Sequence, residues 1–441
     1  MESDVLTNLQ NKKLELLVHG GINFLSRSFN VIASVLITLI IPWRAGVDSL
    51  GLFMIGFSVV LGIGTFSRFG LSTGLVKWGG HFIGLGQKEK CVEIIVQGTL
   101  WSFLNSVIIS AIALSLFYIF PDNNTEMTWN IIWPFLLTAP IHTACFGLSS
   151  YYKVINKTYI APFIETAGAS LLTIIISELY FLYFSEISII VYSFSYLIAN
   201  LMILAITLFS FTRNNYTELF KSDILHFTIP KKEITWRSGL VDFAVVDIIN
   251  YIFQYGIIIL LGLIISAEEV GIFSIILRIS LVLNFILLVF NTITTPQYAK
   301  MFSTNKIRDL RKTAQMSSFY MLISLVIVLP FLIIFANKIL LYFSENAASY
   351  QEEFFILLCA QVINVLTGSS GPILSMTGNQ NKLKNIVVYT SIIATLSLYW
   401  LTSIYGLLGG CIAISMGIII KNIWAFIAVK RCLGFYPLPK I

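Results

Sequence analysis

Apolar residues in this chain come in long uninterrupted runs, one after another from about residue 20 to about residue 430. A run such as 248–265 is apolar on nearly every side, so it cannot be the half-polar strand of a porin-like barrel, whose residues alternate. A transmembrane helix needs about 20 such residues, and in lipid a helix bonds all of its own backbone groups. At roughly 35 residues per span and loop, the 441 residues hold about twelve spans and leave no sizeable water-soluble domain. Composition agrees: 57% of residues are hydrophobic and 11% are charged, where a soluble chain carries about 25% charged residues. A soluble enzyme with a single anchor is excluded. The chain is read as an all-α polytopic membrane protein of about 12 transmembrane helices.

The windows run approximately 20–43, 49–71, 91–119, 128–151, 160–184, 187–211, 237–264, 268–293, 314–336, 353–376, 385–402 and 406–429. Basic residues set the orientation, because cytoplasmic loops retain Lys and Arg. With the N-terminus inside, twenty-two of the 28 Lys and Arg fall in cytoplasmic segments, and Arg44 and Lys338 fall outside. Both termini are therefore expected in the cytoplasm, and the net charge of +6 is a topology signal that gives no reason to expect nucleic acid as a partner. The first eighteen residues are polar and amphipathic, which makes the first span an expected uncleaved signal anchor. The largest polar interruption divides the chain into an N-terminal lobe, 1–212, a cytoplasmic linker, 213–236, and a C-terminal lobe, 237–441.

The halves repeat weakly at a fixed offset. Gly51 and Phe53 match Gly271 and Phe273, 220 residues on; the same offset carries Arg27 to Asp247, Asn30 to Asn250 and Ser34 to Gln254. Matches in the same direction predict parallel repeats, two six-helix lobes around a central cavity.

Charges inside spans are the informative residues, since each costs about 2.5–3.5 kcal/mol at a helix centre unless it faces a cavity or partner. Arg27, Asp247, Arg278 and Lys421 are deep, Asp242 and Glu165 lie at intermediate depth, and Arg68 and Glu178 are near span ends where they could snorkel. In the first span Asn23, Arg27, Asn30, Ser34 and Thr38 recur at helical spacing. Asp247, Asn250, Tyr251 and Gln254 do the same in the seventh. Each stripe is expected to wet a cavity wall, with interhelical hydrogen bonding as the alternative. Four scattered histidines, five unpaired-looking cysteines and the lack of a phosphate-binding glycine loop give no sign of metal, ATP or hydrolytic chemistry. No cofactor is implied beyond a coupling proton or sodium ion.

With VGIFSIILRIS at 270–280, TGNQNKLK at 377–384, YGLLGGCIAIS at 405–415 and SRFGLSTGLVKW at 67–78, the chain resembles the polysaccharide flippases of the multidrug/oligosaccharidyl-lipid/polysaccharide superfamily, close to the O-antigen (Wzx-type) members. The resemblance implies a transporter and not an enzyme, in the bacterial inner membrane. Its implied cargo is an undecaprenyl-pyrophosphate-linked repeat unit, with membrane lipids and other O-antigen assembly proteins as partners. It also implies that Arg27 and Arg278 meet the pyrophosphate; depth in the spans and the polar stripes add Lys421, Arg68, Asn23, Asn30, Ser34, Asn250 and Gln254 as further expected substrate contacts. Asp247, Asp242 and Glu165 are the candidates for ion coupling. The rival readings are a multidrug or cation exporter of the same superfamily and, further off, an O-antigen polymerase. The polymerase reading suffers from the short outer loops.

Overall fold

The computed structural model describes residues 2–119, 129–215 and 236–439, without the side chains at 2–20, 23, 24, 27, 236–239 and 242. Asn23, Arg27 and Asp242 thus lie outside the described side chains, as does most of the expected linker. Everything regular among the described residues is helical. In order these are α1 (Glu2–Ala45), α2 (Val47–Arg68), α3 (Leu71–Gly84), α4 (Lys88–Ile119), α5 (Trp129–Val154), α6 (Phe163–Phe184) and α7 (Ile189–Asn214). Then come α8 (Trp236–Tyr251), a π turn (Ile252–Gly256) and α9 (Ile257–Gly262). The rest are α10 (Ala267–Ser280), α11 (Val282–Ser303), α12 (Ile307–Ile334), α13 (Ala336–Phe343), α14 (Gln351–Leu366), α15 (Ser370–Met376) and α16 (Gln380–Leu433).

Nine helices among the described residues are long and apolar enough to cross a membrane, and two bent pairs, α10–α11 at 43° and α14–α15 at 44°, raise the number to eleven. The 54 residues of α16 would extend about 81 Å if straight, far beyond a hydrocarbon core of about 30 Å. They fold back instead. Gly406 takes φ 57°, ψ −139°, a conformation that L side chains avoid, and a Cβ on Gly409 would overlap the Leu401 carbonyl. This hairpin separates the last two windows, and twelve apolar segments result.

The chain divides by contact into two compact units, one of Leu25–Ile259 with Ser266–Glu268, the other of Met1–Phe24, Leu260–Ile265 and Glu269–Ile441. The first unit has a core of Leu71, Leu75, Trp78 and Phe82 from α3 against Cys91, Val92 and Ile95 of α4 and Leu148, Tyr151 and Tyr152 of α5. Sequence reading treats 71–84 as loop. The segment is a helix because its apolar residues recur at i, i+4, i+7 and i+11, one face of a short amphipathic helix. The second unit has a core of Tyr298, Leu310, Ala314, Ile373, Leu374, Ile386 and Val429. Tyr298 stands 220 residues after Trp78, and Ala314 stands 220 after Ile94, which belongs to the first core.

Helix α8 belongs by contact with α2 and α3 of the first unit. Its close approach is at Gly70 (φ 81°), where a Cβ would collide with the Leu240 carbonyl and the Ala244 nitrogen. Tyr251 then donates its hydroxyl to the Ser58 carbonyl at 2.9 Å, and Tyr255 meets Phe57 edge to face at 5.8 Å.

The α16 hairpin generates a stability prediction. Gly406→Ala forces a methyl group into a backbone region that costs about 1–3 kcal/mol. Gly80 has helical backbone and open space around its Cα, so Gly80→Ala should gain a few tenths to about 1 kcal/mol. Thermal denaturation in detergent should show a lower midpoint for the first variant only; equal midpoints would contradict the hairpin geometry.

Candidate functional site: an ionic cluster among α2, α5, α6 and α8

Arg68 ends α2 and is 6% exposed. Its Nε donates to Ser72 Oγ at 2.9 Å and Nη2 to Thr65 Oγ1 at 3.3 Å, while Cζ lies 4.0 Å from the Phe146 ring centroid. The remaining terminal nitrogen, Nη1, is buried with no hydrogen-bond partner. Gly64 admits it, since a Cβ there would stand 3.0 Å from Nη1. The sequence reading lets Arg68 snorkel because it is near a span end. The structure instead roofs it with α3 through Ser72 and with the ring of Phe146, so its charge stays inside the unit.

Glu165 sits in a π turn, Phe163–Ala167, that opens α6. The widened turn brings its backbone carbonyl to His142 Nε2 at 2.9 Å. A carbonyl only accepts, so the His142 proton is on Nε2 and the buried Nδ1, which has no partner, is left as an acceptor. The Glu165 carboxylate accepts from Ser149 Oγ and from Lys153 Nζ, the latter at 2.5 Å. Lys153 Nζ also lies 5.1 Å from the Phe146 ring. Asp247 on α8 is half-buried and within electrostatic reach of Arg68 and Lys153. Two cations and two carboxylates thus share one unit, and their charges cancel.

His142, Phe146, Ser149 and Lys153 recur at i, i+4, i+7 and i+11 and form one face of α5. Sequence reasoning missed all four as a group. It assigned Lys153 to a loop and treated His142 as isolated, whereas the helical spacing itself was the available signal.

The other expected contacts fall in several environments. Asn30 accepts from Thr166 Oγ1 at 2.8 Å, Ser34 bonds the Val31 carbonyl, and Thr38 is fully buried on the Ser34 carbonyl. The described part of the first stripe therefore ties α1 to α6 and to itself. On the seventh-span stripe Tyr251 turns inward to Ser58, a π turn begins at Ile252, and Asn250 and Gln254 are exposed. Glu178 forms a two-bond pair with Arg44, Nε–Oε1 3.1 Å and Nη2–Oε2 2.7 Å, at the ends of α1 and α6. Arg278 and Lys421 are half-buried on α10 and α16, in the second unit. Among the described residues no group of His, Cys, Asp and Glu is disposed to hold a metal ion.

No protein-family model and no curated protein matches the chain. Solved structures do match its fold. A structure described as the inward-facing conformation of a multidrug resistance MATE family transporter of the MOP superfamily aligns with TM-score 0.66 at 14% identity, over 93% of this chain and 94% of the other. The outward-facing conformation of such a transporter aligns with TM-score 0.60 at 14% identity, over 94% of each chain. The MATE multidrug transporter DinF-BH, solved in a complex, aligns with TM-score 0.63 at 15% identity, over 95% of each chain. The fold is therefore that of the MATE transporters.

The ion pair on the α5–α6 seam can be isolated by a double-mutant cycle. Glu165→Ala strands Lys153 and Ser149, and Lys153→Met strands the carboxylate, so each single change should lower the unfolding midpoint. The double variant should recover part of the loss, with a coupling energy of about 0.5–3 kcal/mol. Additive losses would mean that the pair contributes nothing to the unit.

Proposed function

We propose that this chain is a secondary transporter that moves an anionic, lipid-linked saccharide, an undecaprenyl-pyrophosphate-linked O-antigen or polysaccharide repeat unit, across the bacterial cytoplasmic membrane by alternating access. The observation that carries this reading is Arg68: a guanidinium held inside a membrane-spanning unit with one terminal nitrogen unbonded. Such a donor is costly to leave unmatched in a dry interior, and a phosphoryl oxygen is the acceptor a guanidinium fork suits best. Arg278 and Lys421 add positive charge within the spans of the second unit. Alternating access is supported by the similarity of the fold to transporters described in both inward-facing and outward-facing conformations.

The balance of the cluster supplies a route to ion coupling. With Glu165 and Asp247 both ionised, Arg68 and Lys153 are neutralised. A proton or sodium ion on either carboxylate leaves one positive charge over and favours an anionic cargo; its departure restores neutrality and favours release. A ligand shifts a conformational equilibrium only through such differential affinity. Both termini in the cytoplasm, with the basic loops inside, complete this reading.

A second reading, export of organic cations, is favoured by the solved structures themselves, which are described as multidrug transporters. It would place the cargo's positive charge on Glu165 or Asp247 and leave Arg68 a structural counter-ion.

Cells deleted for their own O-antigen transporter separate the two. The wild-type chain should restore surface polysaccharide, and Arg68→Ala and Arg278→Ala, inserted at wild-type levels, should reduce it at least tenfold without altering sensitivity to cationic dyes. Dye resistance conferred by the wild-type chain, with no polysaccharide restored, would establish the cation-export reading instead. Asp247→Asn should abolish the response of transport to the coupling-ion gradient, and an unchanged response would remove Asp247 from the coupling step.

A further inference from the structure

The second unit carries polar side chains that neither the ionic cluster nor its coupling uses. Asn364 on α14 donates through Nδ2 to Gln361 Oε1 at 3.2 Å and reaches Asn284 Oδ1 on α11 at 3.5 Å. Ser369, between α14 and α15, donates to Asn291 Oδ1 on α11 at 2.6 Å. Asn284 lies near the middle of the broken span 267–303, and Asn364 lies near the middle of the broken span 351–376. Both bends, at Leu281 and at 367–369, fall close to this ladder in sequence.

In these bonds Asn284, Asn291 and Gln361 use their oxygens alone. Asn284 is exposed and Asn291 half-exposed, so their NH2 groups stand at the accessible edge of the ladder, while Gln361 is 2% exposed and backs Asn364 from inside. An unmatched amide facing hydrocarbon is strongly unfavourable, so this edge of the ladder faces something that accepts hydrogen bonds. Broken helices in mid-membrane are also where transporters place their substrate sites. No carboxylate takes part in the ladder, which disfavours a cationic group. The accessible amides of Asn284 and Asn291, held by Asn364 and Ser369, match the adjacent hydroxyls of a neutral sugar.

Building on the proposed function, we infer that Asn284 and Asn291, with Asn364 and Ser369 behind them and Gln361 holding Asn364, form a subsite for the uncharged sugar of the cargo, separate from the groups that meet its pyrophosphate. The amide NH2 groups donate to sugar hydroxyl oxygens, and the Asn364–Asn284 contact, already at the limit of a hydrogen bond, opens to admit them.

The test compares two probes on the purified full chain in lipid nanodiscs: farnesyl pyrophosphate, and farnesyl pyrophosphate carrying one neutral N-acetylhexosamine. The wild type should bind the sugar-bearing probe at least tenfold more tightly. Asn364→Asp, which keeps the shape and removes the donors, and Asn284→Ala, at an exposed position, should each cut that preference at least fivefold while affinity for farnesyl pyrophosphate changes less than twofold. Wild-type binding of both probes without preference would overturn the subsite and leave the proposed function standing. Equal weakening of both probes by the variants, with lowered thermal midpoints, would reduce the ladder to packing. Binding of neither probe would overturn the proposed function and the subsite with it.

Discussion

Hydrocarbon accepts no hydrogen bonds, and this one fact organises the structure. It forces the backbone into helices, which bond their own amides, and it makes every polar side chain in a span a problem that must be solved by a neighbour. The solutions seen here are of three kinds. Serines and threonines bond the carbonyl one turn back in their own helix, as Thr38, Thr143 and Ser274 do. Exposed charges pair at helix ends, as Arg44 does with Glu178. Glu165 pairs with Lys153 and Ser149 inside one unit, and Arg68 is enclosed in the same unit with one nitrogen unbonded. Residues of the third kind are the ones that structural packing alone does not explain.

The helix pattern was legible because hydrocarbon demands long apolar runs, and such runs survive in a single sequence. The sites were legible only in part. Arg68 reads as a snorkelling residue when depth is counted along α2, because nothing in the linear sequence says that α3 folds over the end of that helix. The π turns at Phe163–Ala167 and Ile252–Gly256 follow from tertiary packing and have no residue signature. One of them brings a carbonyl to His142 and the other follows Tyr251 in the seventh span. The α5 face was there to be read, since His142, Phe146, Ser149 and Lys153 keep helical spacing. It was hidden because attention to isolated charges passes over a stripe that mixes aromatic, hydroxyl and basic groups.

The 220-residue offset shows how the two units diverge on a shared plan. Ser149, which bonds the Glu165 carboxylate, corresponds to Ser369, which bonds the Asn291 amide. Around that common hydroxyl the chemistry changes: Arg68 corresponds to Leu288, His142 to Val362, Phe146 to Leu366 and Lys153 to Ile373. At these positions the first unit has charged or aromatic side chains where the second has apolar ones, and the second has amides on α11 and α14. A cargo with one anionic end and one neutral, hydroxylated end presents two unlike surfaces. The first unit holds Arg68 and Lys153 with their carboxylates, and the second holds an uncharged amide ladder on α11 and α14 together with Arg278 and Lys421.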